Sequence, residues 1–199
     1  MIGIVDYGAG NLHSVQKAFS YLGKSSAILR NPSELSGIEK LVLPGVGSFG
    51  HAMREIQSRN WHGPLMDWLI ADRPFLGICL GMQLLFEGSS ESPDVCGFSV
   101  MDGICRKFTG NKVPQIGWND ILIKKEGPFF GGVQSGDYFY FVHSYHVVPE
   151  KKDVILAETF YGSLYTSIVS KGRVFGVQFH PEKSGDKGLM LLKNWEEQC

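Results

Sequence analysis

A cysteine motif is the clearest candidate for chemistry in this sequence. It lies in "GICLGMQLL", residues 77–85, where Cys79 stands between two glycines at the end of an apolar run. The pattern is that of a nucleophile elbow with sulfur in place of oxygen: a strand ends, and the nucleophile occupies a strained turn before a helix. Gly77 and Gly81 would relieve the crowding, and the N-terminus of a helix predicted over 80–87 favours the thiolate. The motif indicates a nucleophile, although most free cysteines are small buried hydrophobes.

A candidate base and a group to orient it lie in "VFGVQFHPEKS", residues 174–184. A nucleophilic thiolate needs both of them within hydrogen-bond reach. His180 follows an apolar strand, Pro181 forces an extended turn, and Glu182 comes two residues after the histidine. Residues two apart on an extended segment point to the same side, so Glu182 can hold the imidazole. Alone, each has an ordinary explanation, as a strand-end histidine or a solvated carboxylate; with Cys79 they predict a Cys-His-Glu triad.

The other five histidines are weaker candidates. His13, His51 and His62 lie in helical patterns and are expected at the surface. His143 and His146, in "FVHSYHV", are three residues apart and so on opposite faces of one predicted strand, which makes a shared metal site improbable.

The sequence predicts neither a metal nor an organic cofactor. The four cysteines form no C-x-x-C pair, so they are expected to be reduced thiols. "GAGN" after the first strand lacks the full G-x-G-x-x-G motif and the acidic residue expected about 20 positions later in a dinucleotide site.

Length and charge exclude several classes of function. A chain of 199 residues with 43% hydrophobic content can bury about 70% of the surface of its unfolded form, which predicts a single domain over residues 1–199. The 19 basic residues balance 20 acidic ones without a basic block, so nucleic acid is not an expected partner. The sequence has no apolar run long enough to span a membrane, and its N-terminus does not have the pattern of a leader sequence. A cytoplasmic protein is therefore expected.

The two halves of the chain differ in their pattern of apolar residues, and the two patterns together predict the fold class. In the first half, short apolar strands (2–7, 40–45, 74–79) alternate with helical patterns (11–23, around "MREIQ" and "LMDWLIA", and 80–87). This alternation indicates parallel β-α units that are buried on both faces. After residue 95 shorter aromatic runs (138–148, 153–158, 167–172, 173–179) indicate mostly antiparallel strands, closed by a helix over 186–198. We therefore expect one α/β domain with helices on both faces of a mostly parallel central sheet.

Five motifs together resemble the class I (triad) glutamine amidotransferases: "LPGVGSFG", "GICLGMQLLFEGS", "PQIGWN", "YFYFVHSY" and "GVQFHPEKSG". The resemblance covers nearly the whole chain and implies the single-domain, flavodoxin-like fold of that family. It also implies the reaction. Cys79 attacks the side-chain amide of glutamine, His180 protonates the departing ammonia, and water hydrolyses the γ-glutamyl thioester to glutamate.

The resemblance assigns further positions in the site. Val46, placed on a strand beside the nucleophile, and Leu80 would donate the N–H groups of an oxyanion hole. Gly47, Gln83, Ser144 and Tyr145 would contact the substrate glutamine, with Gln83 on the same helix face as Cys79. Without the rest of the pattern, "PGVG" is an ordinary turn and the residues around Ser144 are ordinary sheet packing.

The motifs "DYGAGN", "PGVG", "GWN" and "FVHSY" resemble the branch of the family that serves histidine biosynthesis. In that branch ammonia passes to a separate (β/α)₈-barrel cyclase subunit, which makes imidazole glycerol phosphate and an aminoimidazole carboxamide ribotide. A heterodimer is therefore expected. The positions that match partner-facing ones are Asn11, Trp118, Asn119, Tyr140 and Lys183. Trp118 could instead be a core residue, Asn11 a helix cap and Lys183 a solvated charge.

Three alternatives stay open at this level. The chain could be a stand-alone γ-glutamyl hydrolase or an elbow-type cysteine peptidase, although in those peptidases a histidine directly follows the cysteine and here Leu80 does. It could be a non-catalytic binding subunit that retained the fold. It could also be a paralogous glutaminase that feeds a purine, pyridoxal phosphate or surface-sugar pathway, because the catalytic residues contact only glutamine.

Overall fold

An eight-stranded sheet forms the centre of the computed structural model, which describes residues 1–109 and 112–199. In chain order the strands are β1 Ile2–Val5, β2 Ser26–Leu29, β3 Lys40–Gly45, β4 Phe75–Cys79, β5 Phe86–Ser89, β6 Met101–Lys107, β7 Gln115–Asp120, β8 Leu122–Ile123, β9 Tyr138–His143, β10 Tyr145–Pro149, β11 Ile155–Tyr161, β12 Ser163–Lys171 and β13 Val174–Val177. The α-helices are α1 Leu12–Tyr21, α2 Phe49–Ser58, α3 His62–Ile70, α4 Leu80–Gln83 and α5 Gly185–Gln198.

The strand order of the central sheet is β2-β1-β3-β4-β13-β12-β11-β8. The first five strands are parallel to one another, and β12, β11 and β8 extend the sheet in antiparallel fashion. The parallel part has the order of flavodoxin-like folds, with β13 in the fifth place. The predicted α/β class is therefore confirmed, and the carboxyl ends of β4 and β13 meet at one edge of the sheet.

Helices cover both faces of this sheet because successive strand residues point to opposite sides. In β3, Leu41 and Leu43 pack with α2 and α3, whereas Val42 packs on the other face with α1 and α5. Each face thus has its own hydrophobic core, which explains the uninterrupted apolar strands of the sequence. Within the described residues, the helices are too short and too polar for any of them to cross a membrane.

The second half contains two smaller sheets besides its strands in the central one. Strands β7 and β9 form an antiparallel pair, and β6 lies between antiparallel β10 and parallel β5. The expectation of mostly antiparallel strands here is confirmed.

Two element predictions were wrong. The helix predicted over 80–87 ends at Gln83, and the chain continues into β5. Residues 80–86 are all buried, and an apolar run without a polar face does not distinguish a helix from a buried strand. The strand predicted over 138–148 is interrupted at Ser144, because β9 pairs with β7 whereas β10 pairs with β6 in a different sheet.

The turn after β4 depends on two glycines, as the sequence predicted. A Cβ atom on Gly81 would lie 1.9 Å from the backbone oxygen of Leu43, and one on Gly77 would lie 2.6 Å from the carbonyl group of Gly81. Both distances are far below van der Waals contact, so β3, β4 and α4 approach one another more closely than any side chain permits.

We expect Gly81→Ala to lower the free energy of unfolding by about 1–3 kcal/mol or more, because the new methyl group overlaps a backbone atom rather than a movable side chain. Gly63→Ala is the matched control, since nothing lies within 4 Å of its Cβ position. That substitution should be neutral or stabilise the fold by up to about 1 kcal/mol. Urea unfolding of the three proteins measures both effects, and equal stabilities would contradict the close approach.

Candidate active site

Cys79 occupies a strained turn at the carboxyl end of β4. Its backbone angles are φ 56° and ψ −109°, and it lies opposite Gly45 in the pairing of β4 with β3. A non-glycine residue at positive φ costs of order 1–3 kcal/mol and persists only where the surroundings impose it. This geometry is that of a nucleophile elbow. Because α4 has four residues, the helix dipole expected from a longer helix is reduced to that of one turn.

His180 and Glu182 form a buried pair beside this cysteine. His180 Nδ1 lies 2.9 Å from Glu182 Oε1, and the two side chains are 3% and 1% exposed. Because a carboxylate only accepts, Nδ1 carries the proton that is donated. The extended segment inferred from the sequence is instead a 3₁₀ turn over Pro181–Lys183, closed by the Lys183 N–H bonding to His180 O at 3.0 Å. The turn, not strand alternation, brings the two side chains together.

The site favours a charged imidazole. Burial lowers the pKa of His180, but hydrogen bonds with Cys79 and Glu182 outweigh burial and raise that pKa to about 10. His180 Nε2 is buried and makes no conventional hydrogen bond among the described residues, and since Nδ1 is used by Glu182, Nε2 is the nitrogen left for the Cys79 sulfur. Cys79 and His180 can therefore form a thiolate–imidazolium pair.

A cavity of about 310 Å³ opens in front of Cys79. It is lined by Val46, Gly47, Cys79, Leu80, Gln83, Glu91, Pro114, Val142, His143, Ser144 and Tyr145. Seven of these residues are the ones predicted as nucleophile, oxyanion donors and substrate contacts. A thiolate that lines such a cavity, with a positioned imidazolium beside it, can perform acyl transfer on a small molecule.

The family model described as glutamine amidotransferase class-I matches residues 3–197 of this sequence. The chain belongs to this family. The fold and the Cys-His-Glu arrangement are therefore those of a class I glutamine amidotransferase, a family of glutaminases.

Individual relatives and structures agree with this family. The chain is 46% identical to "Imidazole glycerol phosphate synthase subunit HisH" of Caldanaerobacter subterraneus over 99% of this chain and 98% of that protein. It is 46% identical to the protein of the same name in Methanocaldococcus jannaschii, over 99% of each. A chain of the structure of PurLQS from Thermotoga maritima superposes with a TM-score of 0.79 at 18% identity, covering 99% of this chain and 97% of that one, which shows a shared fold.

Three positions of this amidotransferase differ in placement from the prediction. Val46 and Gly47 are not on a strand: β3 ends at Gly45, and both residues lie in the following loop, with Val46 44% exposed and Gly47 at φ 95°. Glycine favours that angle because it has no Cβ. Ser144 likewise lies between β9 and β10 rather than within a strand. All three still line the cavity.

Two ionisable residues of the cavity wall were not predicted from the sequence. Glu91 lies after β5, and its Oε2 accepts a hydrogen bond of 2.7 Å from the Phe49 N–H at the start of α2. It is the acidic side chain among the lining residues that the structure describes. His143 was dismissed as a strand histidine. The acidic run "ESPD" and the histidine of "FVHSY" were the available signals, but neither has a spacing that identifies chemistry.

The argument that separated His143 from His146 was wrong. Since the chain turns at Ser144, the two rings lie on the same side and both pack against Phe108, with centroid distances of 5.2 and 4.7 Å. His143 Nδ1 donates to Tyr145 O at 2.9 Å, which places a proton on Nδ1. Burial, above all, lowers the pKa of His143 to about 3. No group of metal-ligating side chains occurs within residues 1–109 and 112–199.

Predictions for the three surface histidines differ in outcome. His13 and His51 are exposed as expected, whereas His62 is half-buried and stacks on Phe98 with a centroid distance of 5.7 Å.

The positions predicted to face a partner differ in exposure and in the contacts they make. Trp118 on β7 is 55% exposed and contacts Tyr140 of β9 edge-on, with ring centroids 6.2 Å apart, so the core alternative for Trp118 is excluded. Asn119 Nδ2 donates to Phe160 O at 2.9 Å. Asn11 occupies the N-cap position of α1, but its side chain makes no capping hydrogen bond. Lys183 is exposed in the turn that also carries Glu182.

We expect His143 to make the fold acid-sensitive. The unfolded chain takes up a proton near pH 6.5, whereas the folded His143 does so only near pH 3, so the unfolded state binds more protons in between. Stability therefore falls as the pH drops below 6.5, by up to about 1.4 kcal/mol per pH unit. Between pH 7 and pH 5 the wild type should lose about 1–2 kcal/mol more than His143→Gln in urea unfolding. His51→Gln, at an exposed position, should behave like the wild type; identical pH dependence in all three proteins would contradict the assignment.

Proposed function

We propose that this chain is the glutaminase subunit of an imidazole glycerol phosphate synthase. It hydrolyses glutamine to glutamate and ammonia and passes the ammonia to a (β/α)₈-barrel cyclase. The observation that carries the proposal is the buried His180–Glu182 pair beside Cys79, which itself lines a cavity of about 310 Å³. The names of the relatives supply the pathway. Residues 1–199 form one catalytic unit in this proposal, with glutamine as its small-molecule substrate and a cytoplasmic location.

The residues divide the reaction into two steps. The Cys79 thiolate attacks the amide carbon of glutamine, and the carbonyl electrons move to oxygen, where the N–H groups of Val46 and Leu80 stabilise the oxyanion. His180 gives its Nε2 proton to the leaving nitrogen as the C–N bond breaks, releasing neutral ammonia and leaving a γ-glutamyl thioester. Neutral His180 then takes a proton from water, whose oxygen attacks the thioester, and glutamate leaves as the thiolate re-forms.

The cavity wall supplies contacts for the two ends of glutamine. The Glu91 carboxylate suits the substrate α-ammonium group, which requires a negative partner in a partly buried site. Backbone groups of Ser144 and Tyr145, and the backbone N–H of Gly47, are the polar groups available to the remainder of the substrate. Gln83 already donates to Tyr145 O at 2.9 Å and to Gln178 Oε1 at 3.1 Å, so its carbonyl oxygen is the part left for the substrate.

An exposed aromatic surface supports a protein partner over a stand-alone hydrolase. Ile116 and Trp118 on β7 are 64% and 55% exposed, and Tyr138 on β9 is 58% exposed. Large apolar side chains clustered on paired strands are typical of an interaction site. In this proposal Asn119 and Tyr140, on the same two strands, and Asn11 and Lys183 elsewhere would also contact the cyclase. Because Tyr140 O accepts from the His180 N–H at 3.0 Å, the partner would bind one residue away from the catalytic base.

Enclosed transfer favours efficient use of such a product. Ammonia that escaped into water would be protonated and diluted, whereas delivery through a closed interface keeps a neutral nucleophile next to its acceptor. An intact triad argues against a binding subunit without activity. The paralogous pathways differ in acceptor, so the partner is what distinguishes them.

Cys79→Ala should abolish glutamine-dependent synthesis by the complex with the cyclase, while ammonium salts still support the reaction of the partner. The substitution removes only the atom that attacks glutamine, and alanine leaves the interface intact. Initial rates with glutamine and with ammonium chloride measure the two activities. Loss of both would indicate that Cys79 is structural, and full activity with glutamine would overturn the proposed function.

Glu182→Gln should reduce turnover of glutamine less than His180→Ala does. Glu182 orients His180 and stabilises its charge, whereas His180 transfers the proton itself, so the glutamine variant keeps a base in place. Lys183→Met, next to Glu182 but exposed, controls for damage to the turn when hydrolysis is measured without the partner. An equal or larger loss in Glu182→Gln would contradict the orienting role.

A further inference from the structure

Gln178 is a fully buried polar residue that the mechanism above does not use. It follows β13 directly, and because Val177 pairs with Ile78, Gln178 lies level with Cys79 across the parallel pair. Its Nε2 is 3.7 Å from the Cys79 sulfur, within hydrogen-bond range for sulfur. Burying an amide without partners costs free energy, so a glutamine at this point requires a specific reason.

The direction of this amide is determined by its neighbours. Gln83 Nε2 lies 2.9 Å from Tyr145 O, and since a backbone carbonyl only accepts, the Gln83 nitrogen must face it. The other proton of that nitrogen points to Gln178 Oε1 at 3.1 Å. Gln178 therefore presents its NH₂ group to the sulfur. The reverse orientation would set two NH₂ groups against each other and an oxygen against the sulfur.

We propose that Gln178 stabilises the thiolate of Cys79 by donating an N–H hydrogen bond to its sulfur, in an orientation held by Gln83. The inference deepens the proposed function, since Cys79 is the nucleophile there. Cys79 is 6% exposed, so water supplies little solvation to a charged sulfur. With a single helical turn behind it, the thiolate has His180 and Gln178 as hydrogen-bonding side chains. The side chains of Tyr7 and Tyr165 also interact electrostatically with Cys79.

The hydrogen bonds from Gln83 to Gln178 and from Gln178 to the Cys79 sulfur form a relay. Glutamine suits position 178 because the relay needs an acceptor that faces Gln83 and a donor that faces the sulfur. A glutamate would place a second negative charge beside the thiolate, a lysine could not accept from Gln83, and a methionine accepts only weakly and has no hydrogen to donate. The relay also links the cavity wall to the nucleophile, because Gln83 lines the cavity and Gln178 does not. Gln178 thus positions and solvates the attacking atom without touching the substrate.

The test is the pH dependence of Cys79 alkylation by iodoacetamide in the full-length chain, followed by peptide mass spectrometry. Gln178→Met keeps the length of the side chain but removes the donor. We expect the midpoint of the rate profile to move up by about one pH unit, with about a tenfold lower rate below the midpoint and a nearly unchanged plateau above it. A residue that only packs would leave the midpoint in place.

Two controls separate this effect from general damage. Gln16 lies in α1, and its side-chain amide donates to the backbone oxygen of Ser26 at 3.4 Å. Gln16→Met removes this amide and should leave the Cys79 profile unchanged. The exposed Cys96 reports on solution conditions in every sample. A Cys79 midpoint in folded Gln178→Met that equals the wild-type midpoint would overturn the proposal.

A measurement on the wild type covers the case in which the variant does not fold. The side-chain amide signal of Gln178 in ¹⁵N NMR should titrate with the same midpoint as Cys79 alkylation, and Cys79→Ala should abolish that titration. An amide signal that does not respond would overturn the proposal. Neither readout uses glutamine, so the outcome for Gln178 is distinct from any failure of the glutaminase assay.

Discussion

The parallel pairing of β4 with β13 is the interaction on which the site depends. Cys79 and His180 are about half the chain apart in sequence, and hydrogen bonds between these two strands bring their carboxyl ends together. Register matters as much as adjacency, because a shift by one residue would reverse every side chain on β13. The triad is therefore a property of the sheet, and the loops around it only complete the cavity.

Glycines make that pairing usable for chemistry. Gly77 and Gly81 let the first turn of α4 pack against β3, and this close packing holds Cys79 at a positive φ. The strain is offset by the buried contacts of the surrounding core and turns the sulfur out of the sheet. The close packing of α4 against β3 thus causes both the backbone strain at Cys79 and the position of its sulfur.

The antiparallel strands β7 and β9 provide a surface for a partner next to the catalytic site. Pairing of β7 with β9 places Trp118 beside Tyr140, and Tyr140 in turn bonds the backbone of His180. A surface for a partner and the catalytic base are consequently joined by one strand. In the proposed function, this arrangement lets the site of ammonia release lie close to the protein that consumes it.

Local chemistry is what the sequence by itself determined. The elbow spacing around Cys79, the His180–Glu182 motif and the alternation of apolar strands with helices all depend on near neighbours. They predicted the α/β class and the strand-to-helix turn at Cys79, but not the length of α4 or the turn at Pro181–Lys183. Family motifs added Val46, Gln83 and Tyr145, which the structure brings to one cavity. Sequence can carry such inferences because residue type and spacing express the backbone geometry that they require.

Tertiary structure decided what depends on distant contacts. It ended α4 after one turn because the following residues pair as β5, and it divided the strand at Ser144 between two sheets, which placed His143 beside His146. It also brought Glu91 into the cavity and Gln178 against the sulfur. No local pattern encodes these contacts, since they arise when segments far apart in the chain pair and pack, and an apolar run or a lone polar residue is compatible with several such pairings.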